Sequence, residues 1–234
     1  MKNIIKPFVF KQNKLIFTHI PKCGGTSVHQ MLYEIFDDKY RLFSGKPEQL
    51  KNTERLHAGG GHQKYGSNPV HNKGCELVYI TILRNPFERL FSFYKHVQRN
   101  PHHHLYVKVP NIKSINFYHF LEHLISINNP EVSNLMCSML APNCTNAQQA
   151  IQQVEQEFSV VGIVENINSF TEKMQKMFPC HKIQIPRLNT GQGNPMSLDG
   201  KTQQLIKDSN SMDIELYAYF SKKTTNKVKK SIVN

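Results

Sequence analysis

The sequence predicts an α/β fold of three layers, with a central, mostly parallel sheet flanked by helices. Three observations carry this. Lys14–Ile20 is a short apolar run rich in β-formers that ends at Pro21, passes through Gly24-Gly25 and opens into a helical pattern. Glu76–Leu83 is a second such run, followed at once by Arg84-Asn85-Pro86 and another helical pattern. Ser159–Val164 repeats the arrangement a third time, and strands that alternate with helices pair in parallel.

The elements follow in order. After the first strand, a helix starts near Thr26 or Ser27 and places Val28, Met31, Leu32, Ile35 and Phe36 on one face. Asn85 is a good N-cap and Pro86 suits the first helical position, so a helix continues through Leu90, Phe93, Tyr94 and Val97. Further helices are expected at Phe117–Ile127, Ala147–Phe158, Ile167–Phe178, Lys201–Lys207 and Asp213–Ser221, and a fourth strand at His181–Ile185. Gly59–Lys73 and Gln98–Lys113 read as surface loops around an active site. Residues 1–221 form one domain, and the lysine-rich segment 222–234 reads as a flexible basic tail.

Composition narrows the function. A chain of 234 residues with 39% hydrophobic and 20% charged residues suits a soluble single domain. No stretch reaches the length of a membrane span, and no cleavable leader is read at the N-terminus, so a cytoplasmic location is expected. Five cysteines without a CxxC pair argue against a disulfide scaffold and a zinc site. The net charge of +12 fits an anionic ligand. Charge is the only feature favouring nucleic acid, since no recognition motif accompanies it.

The chemistry concentrates in Pro21-Lys22-Cys23-Gly24-Gly25-Thr26-Ser27. A strand that passes through glycines into a helix N-terminus aims backbone N–H groups and the positive end of the helix dipole at an anion. Lys22 adds a point charge, and Thr26 and Ser27 add hydroxyl donors. The lysine precedes the glycines, unlike the nucleotide loop G-x-x-x-x-G-K-[ST], and Asn85 stands where a kinase or ATPase would place an acidic metal ligand. At the end of the second strand, Arg84 can grip a phosphate through two hydrogen bonds, and Ser92 lies two turns into the next helix. Arg89 reads as structural, held by Glu88, Glu34 or a carbonyl.

These two segments resemble the sulfotransferases that use 3′-phosphoadenosine 5′-phosphosulfate (PAPS), in particular carbohydrate sulfotransferases related to heparan sulfate 2-O-sulfotransferase and their bacterial relatives. His19-Ile20-Pro21-Lys22-Cys23-Gly24-Gly25-Thr26-Ser27 is similar to that family's 5′-phosphosulfate loop, with Cys23 where threonine is common. Leu83–Tyr94 is similar to its 3′-phosphate motif, with Arg84 and Ser92 as the implied contacts and Asn85 where aspartate is frequent. The resemblance extends weakly through Val161–Glu165 and Leu188-Asn189-Thr190, and implies a P-loop-like fold. It further implies PAPS as cofactor, adenosine 3′,5′-bisphosphate (PAP) as product, no metal, and a carbohydrate acceptor such as an acidic glycan or glycolipid. Asn189–Pro195 is expected to cap the nucleotide.

Sulfuryl transfer to a hydroxyl calls for a base, and histidine suits it. The family's Gly-His motif maps onto Gly61-His62, which makes His62 the candidate base, with Lys22 stabilising the leaving phosphate and His57 as runner-up. Among the other histidines, His19 reads as a hydrogen-bonded support, His102-His103-His104 as a solvated run, and His119 and His123 as an isolated helical pair. The competing functions are a non-catalytic polyanion-binding or glycan-binding module and a P-loop kinase.

Overall fold

The structure is a computed structural model that describes residues 5–44, 46–70, 74–185 and 198–231. Five parallel strands form one sheet: β1 (Asn13–Thr18), β2 (Tyr40–Phe43), β3 (Ala58–Gly61), β4 (Glu76–Leu83) and β5 (Phe158–Ile163), in the order β2-β3-β1-β4-β5. Helices α1 (Gly25–Phe36), α2 (Pro86–Arg99), α3 (Phe117–Ser126), α4 (Leu135–Leu140), α5 (Ala147–Glu157), α6 (Ile167–Met177), α7 (Gly200–Ser209) and α8 (Ser211–Ser231) flank it. β1 is the central strand, with β3 and β2 on one side and β4 and β5 on the other. The connections therefore diverge at the carboxyl ends of β1 and β4, where an open α/β sheet binds its ligand.

β1 and β4 form where apolar β-formers run together, and Leu15, Phe17, Ile80 and Ile82 are buried almost completely. Pro86 opens α2 with the Asn85 side chain accepting from Phe87 N–H at 3.0 Å. A second apolar cluster joins α2, α3 and α7 through Phe93, Tyr94, Phe120, Leu124 and Ile206, and holds α2 along the sheet's carboxyl edge.

Four sequence expectations change. The strand expected at His181–Ile185 is irregular backbone, and the remaining strands are β2 and β3. β3 falls inside the stretch read as the Gly59–Lys73 loop. Its glycines have poor strand propensity, but neighbouring side chains occupy the space their own would need. A Cβ on Gly59 would lie 2.6 Å from both Phe43 and Val70, and one on Gly60 would lie 2.5 Å from the Tyr40 hydroxyl. The Gln98–Lys113 segment begins inside α2 and is pinned by buried Leu105, Val109 and Ile112, so it is a packed turn-rich segment. The basic tail assigned from residue 222 starts within α8, where Lys223 pairs with Glu155 and Thr224 is buried.

The glycines separate by what they touch. A Cβ on Gly61 would collide with the Phe43 carbonyl oxygen, a backbone atom that cannot swing away, whereas one on Gly200 meets nothing within 4 Å. Gly61→Ala is expected to destabilise by about 1–3 kcal/mol through overpacking between β2 and β3. Gly200→Ala is expected to stabilise by about 0.4–1 kcal/mol by restricting the unfolded chain. Urea denaturation of the two variants beside wild type reads both.

Candidate active site

The carboxyl end of β1 leads into a turn closed by Cys23 N–H to the Ile20 carbonyl at 3.2 Å, with Pro21 and Lys22 between. Lys22 has φ +67°, the left-handed region. The other described non-glycine residues with positive φ are all asparagine or aspartate, whose short polar side chains tolerate it. Glycine would suit the Lys22 backbone better, and the turn is held instead by its surroundings, with Cys23 buried in the core after it. Gly24 follows with φ +73° and caps α1 without a side-chain acceptor. In contrast, Asn85, Asn116, Asn146, Asn166 and Asp199 cap α2, α3, α5, α6 and α7, and Asp213 accepts from Met136 and Cys137 N–H at the start of α4. The first turn of α1 thus offers backbone donors to an anion.

Cys23 is fully buried, and burial pushes its thiol up to about 12. Its side chain belongs to the core, so the loop loses no ligand donor by having cysteine here. Thr26 is exposed and Ser27 buried.

Arg84, at the end of β4, donates to the Lys22 carbonyl at 3.3 Å and pairs with Glu88 at 3.5 Å. The next peptide is fixed as well: Asn85 N–H donates to Glu165 at 2.9 Å, and Tyr217 holds the same carboxylate at 3.2 Å. Burial lowers the Lys22 ammonium, and the Arg84 and Arg99 guanidinium groups lower it further, against a smaller opposing pull from Glu131. Three cations gathered here outnumber the two carboxylates that face them, Glu88 on Arg84 and Glu131 toward Lys22, which is the electrostatic setting of an anion site. Ser92 is half-buried on α2, four residues from both Glu88 and His96, and Arg99 continues that stripe. Arg89 lies on another face, fully buried, donating to the Glu131 carbonyl at 3.1 Å, which is the structural role its sequence context suggests.

His62 follows β3 directly. His19 N–H donates to the Gly61 carbonyl at 2.9 Å, which sets the two histidines side by side with ring centroids 4.5 Å apart. His62 is exposed at the sheet edge, yet the crowding of its ring, followed by the Lys22 charge, lowers its pKa and keeps it neutral. His57 precedes β3 at the opposite end of the strand, near Phe10, roughly 16 Å from His62 along the chain. That is the amino edge of the sheet, away from Lys22 and Arg84. The stretch Asn189–Pro195 and Leu188 lie outside the described residues.

The histidine run is only partly solvated. His102 and His104 are exposed, but His103 packs against His96 at 5.4 Å and Phe93 at 5.9 Å. Burial, then His104, His96 and Lys22, push His103 down to about 4. His96, His103, Arg99 and Glu131 therefore wall the Lys22 side of the site. Of these only His96 and Arg99 carried a sequence signal, their helical spacing from Ser92. Two more residues, His29 and Tyr40, reach the site through His19. Among the described residues no group of three His, Cys, Asp or Glu side chains is placed to hold a metal ion. No described helix is long and apolar enough to cross a membrane.

The sequence profile of the sulfotransferase family matches residues 6–220, which include the β1–α1 loop, β4, α2 and His62. The chain belongs to the sulfotransferase family. No curated protein matches it. Among solved structures, mouse sulfotransferase SULT7A1 complexed with PAP aligns with a TM-score of 0.45 and 18% identity, over 74% of this chain and 58% of that one. The chain thus spans little more than half the length of that structure.

Histidines kept neutral by burial link stability to pH. Burial pushes His29 down to about 4 and His19 to about 2, below the value near 6.5 of an unfolded histidine. The unfolded chain therefore binds these protons first as pH falls. The stabilising contribution is fully present above about 6.5 and is lost on acidification toward about 4. Buried Glu131 and Asp213, whose carboxyls are raised by burial, act in the opposite sense, so a variant comparison isolates the histidine contribution. The urea midpoint is expected to fall less between about pH 7 and about pH 5 in His29→Gln than in wild type. Equal slopes would show that His29 takes up its proton alike in the folded and unfolded chain, against the lowering by burial.

Proposed function

We propose that this sulfotransferase moves a sulfuryl group from PAPS to a hydroxyl of a carbohydrate acceptor, with His62 as general base. The observation that carries the reading is the strained Lys22 turn at the uncapped start of α1, joined through the Lys22 carbonyl to Arg84. A nucleotide with charge at both its 5′ and 3′ positions fits these two anchors. The phosphosulfate would lie on Lys22, Gly24, Gly25, Thr26 and Ser27, with Pro21 and Cys23 shaping the turn. The 3′-phosphate would take Arg84 and Ser92. No metal is needed in this scheme.

The acceptor oxygen attacks sulfur in line with the leaving phosphate. An S–O bond forms to the acceptor as the S–O bond to the phosphate breaks, and that electron pair leaves on PAP. His62 takes the hydroxyl proton, for which a neutral imidazole is required. Lys22 meets the charge that develops on the departing phosphate. Arg99 supplies the positive charge on this side, beside the neutral donors His96 and His103, which suits an acidic glycan or glycolipid as acceptor. Likeness to the heparan sulfate 2-O branch, which places the base after the first crossover, supports the assignment of His62.

PAP at a hundredfold excess over its Kd is expected to stabilise the protein by about 2.7 kcal/mol, seen as a rise in Tm. Lys22→Ala and Arg84→Ala should reduce that rise, whereas His62→Ala should keep it. Transfer of labelled sulfate to polysaccharide and glycolipid fractions should be abolished in Lys22→Ala and His62→Ala. A wild-type protein whose Tm ignores PAP would refute the assignment.

A further inference from the structure

A buried chain of polar groups runs beneath the β1–α1 loop. The Tyr40 hydroxyl on β2 bonds to His29 Nδ1 on α1, and His29 Nε2 lies 3.0 Å from His19 Nδ1. Two glycines make room for it. A Cβ on Gly60 would lie 2.5 Å from the Tyr40 hydroxyl and 3.1 Å from His29 Cε1, and a Cβ on Gly25 would overlap the His19 ring at Nε2. His19 Nε2 therefore lies directly over the first residue of α1, beside His62.

The direction of the protons follows from satisfaction of buried groups. Burial holds the Tyr40 phenol protonated, well above its ordinary range. Among the described residues its only hydrogen-bond partner is His29 Nδ1, so its proton is donated there. His29 then carries its own proton on Nε2 and donates it to His19 Nδ1. His19 consequently carries its proton on Nε2, the nitrogen that faces the start of α1.

We propose that His19 is a catalytic hydrogen-bond donor, whose Nε2–H stabilises the sulfuryl oxygens during transfer, and that Tyr40 and His29 are positioning residues that fix its tautomer. The proposal rests on the sulfotransferase reading above. A neutral donor suits the place. It stabilises oxygen charge without adding a cation next to Lys22, and with its lone pair committed to His29 it does not compete with His62 for the acceptor proton. The arrangement gives the two neighbouring histidines opposite duties: His62 accepts a proton and His19 donates a hydrogen bond.

The test has two independent readouts. In protein labelled with 15N-histidine, two-bond proton–nitrogen correlation is expected to show His19 as the Nε2–H tautomer, with that resonance shifting when PAP and inorganic sulfate are added. A His19 Nδ1–H tautomer overturns the proposal, whatever the activity. With PAPS and water as the acceptor, release of PAP by His19→Leu is expected to fall about 10²–10³-fold in kcat with KM unchanged. His19→Gln, which keeps an N–H near the Nε2 position, should recover most of that loss. Tyr40→Phe should lower kcat without changing KM and give His19 a mixture of tautomers. Equal kcat in His19→Leu and His19→Gln overturns the donor role. A wild-type protein that binds no PAP overturns the sulfotransferase reading, and the donor role with it, while the measured tautomer stands as a property of the fold.

Discussion

The left-handed backbone at Lys22 is the constraint on which the site depends. It turns the chain sharply after β1, so that the lysine side chain and the uncapped first turn of α1 act at the same place. The strain persists because its surroundings over-determine it. Cys23 is locked in the core beneath the turn, and Arg84 clamps the Lys22 carbonyl from the end of β4. A single peptide unit thus joins the two ends of the proposed nucleotide site. Loosening either β1 or β4 would separate two anchors that must be a fixed distance apart to hold one ligand.

The surrounding electrostatics are divided. Lys22, Arg84 and Arg99 bring cationic side chains together, while His19, His29, His62 and His103 are all pushed toward neutrality, chiefly by burial. Burial is the main cause at all four imidazoles, and Lys22, the cation of the proposed phosphosulfate loop, adds to it at His19, His62 and His103. A base is useful only when unprotonated, so the burial that lowers His62 and the Lys22 charge beside it both favour the proposed role. Two of the acidic residues nearby are occupied: Glu88 pairs with Arg84, and Glu165 holds the Asn85 peptide and Tyr217.

The sequence makes β1, β4, β5 and the helices after them legible, because each is a compact apolar run bounded by proline, glycine or asparagine. The anion loop and Arg84 were legible for the same reason, since their position at strand ends follows from the order of elements. β3 was not. Ala58-Gly59-Gly60-Gly61 has no side-chain pattern of its own, and its strand conformation comes from Tyr40, Phe43, Val70 and His29 filling the space above it. The His103 environment was hidden similarly, because its burial depends on Phe93 and His96 from a different segment. In both cases the information sits in the partners, which become neighbours only after folding. Arg89 was legible as structural, though its partner, the Glu131 carbonyl, lies 42 residues away.

Helix α2 links the two halves of the proposed reaction. Its start is set by Arg84 and Asn85, its middle presents Ser92, and its end carries His96 and Arg99 toward Lys22. A helix of 14 residues spans about 21 Å, comparable to a nucleotide plus the first part of an acceptor. Its buried face is fixed by Phe93, Tyr94 and Val97 against α3 and the 105–112 segment. The helix therefore cannot shift at one end without moving the other. Packing in the second apolar cluster keeps the proposed cofactor anchors, Arg84 and Ser92, in register with Arg99 at the far end of the helix. Sequence changes in that cluster would alter both together, whereas changes at His62 or His19, carried on β3 and β1, would leave the register of α2 intact.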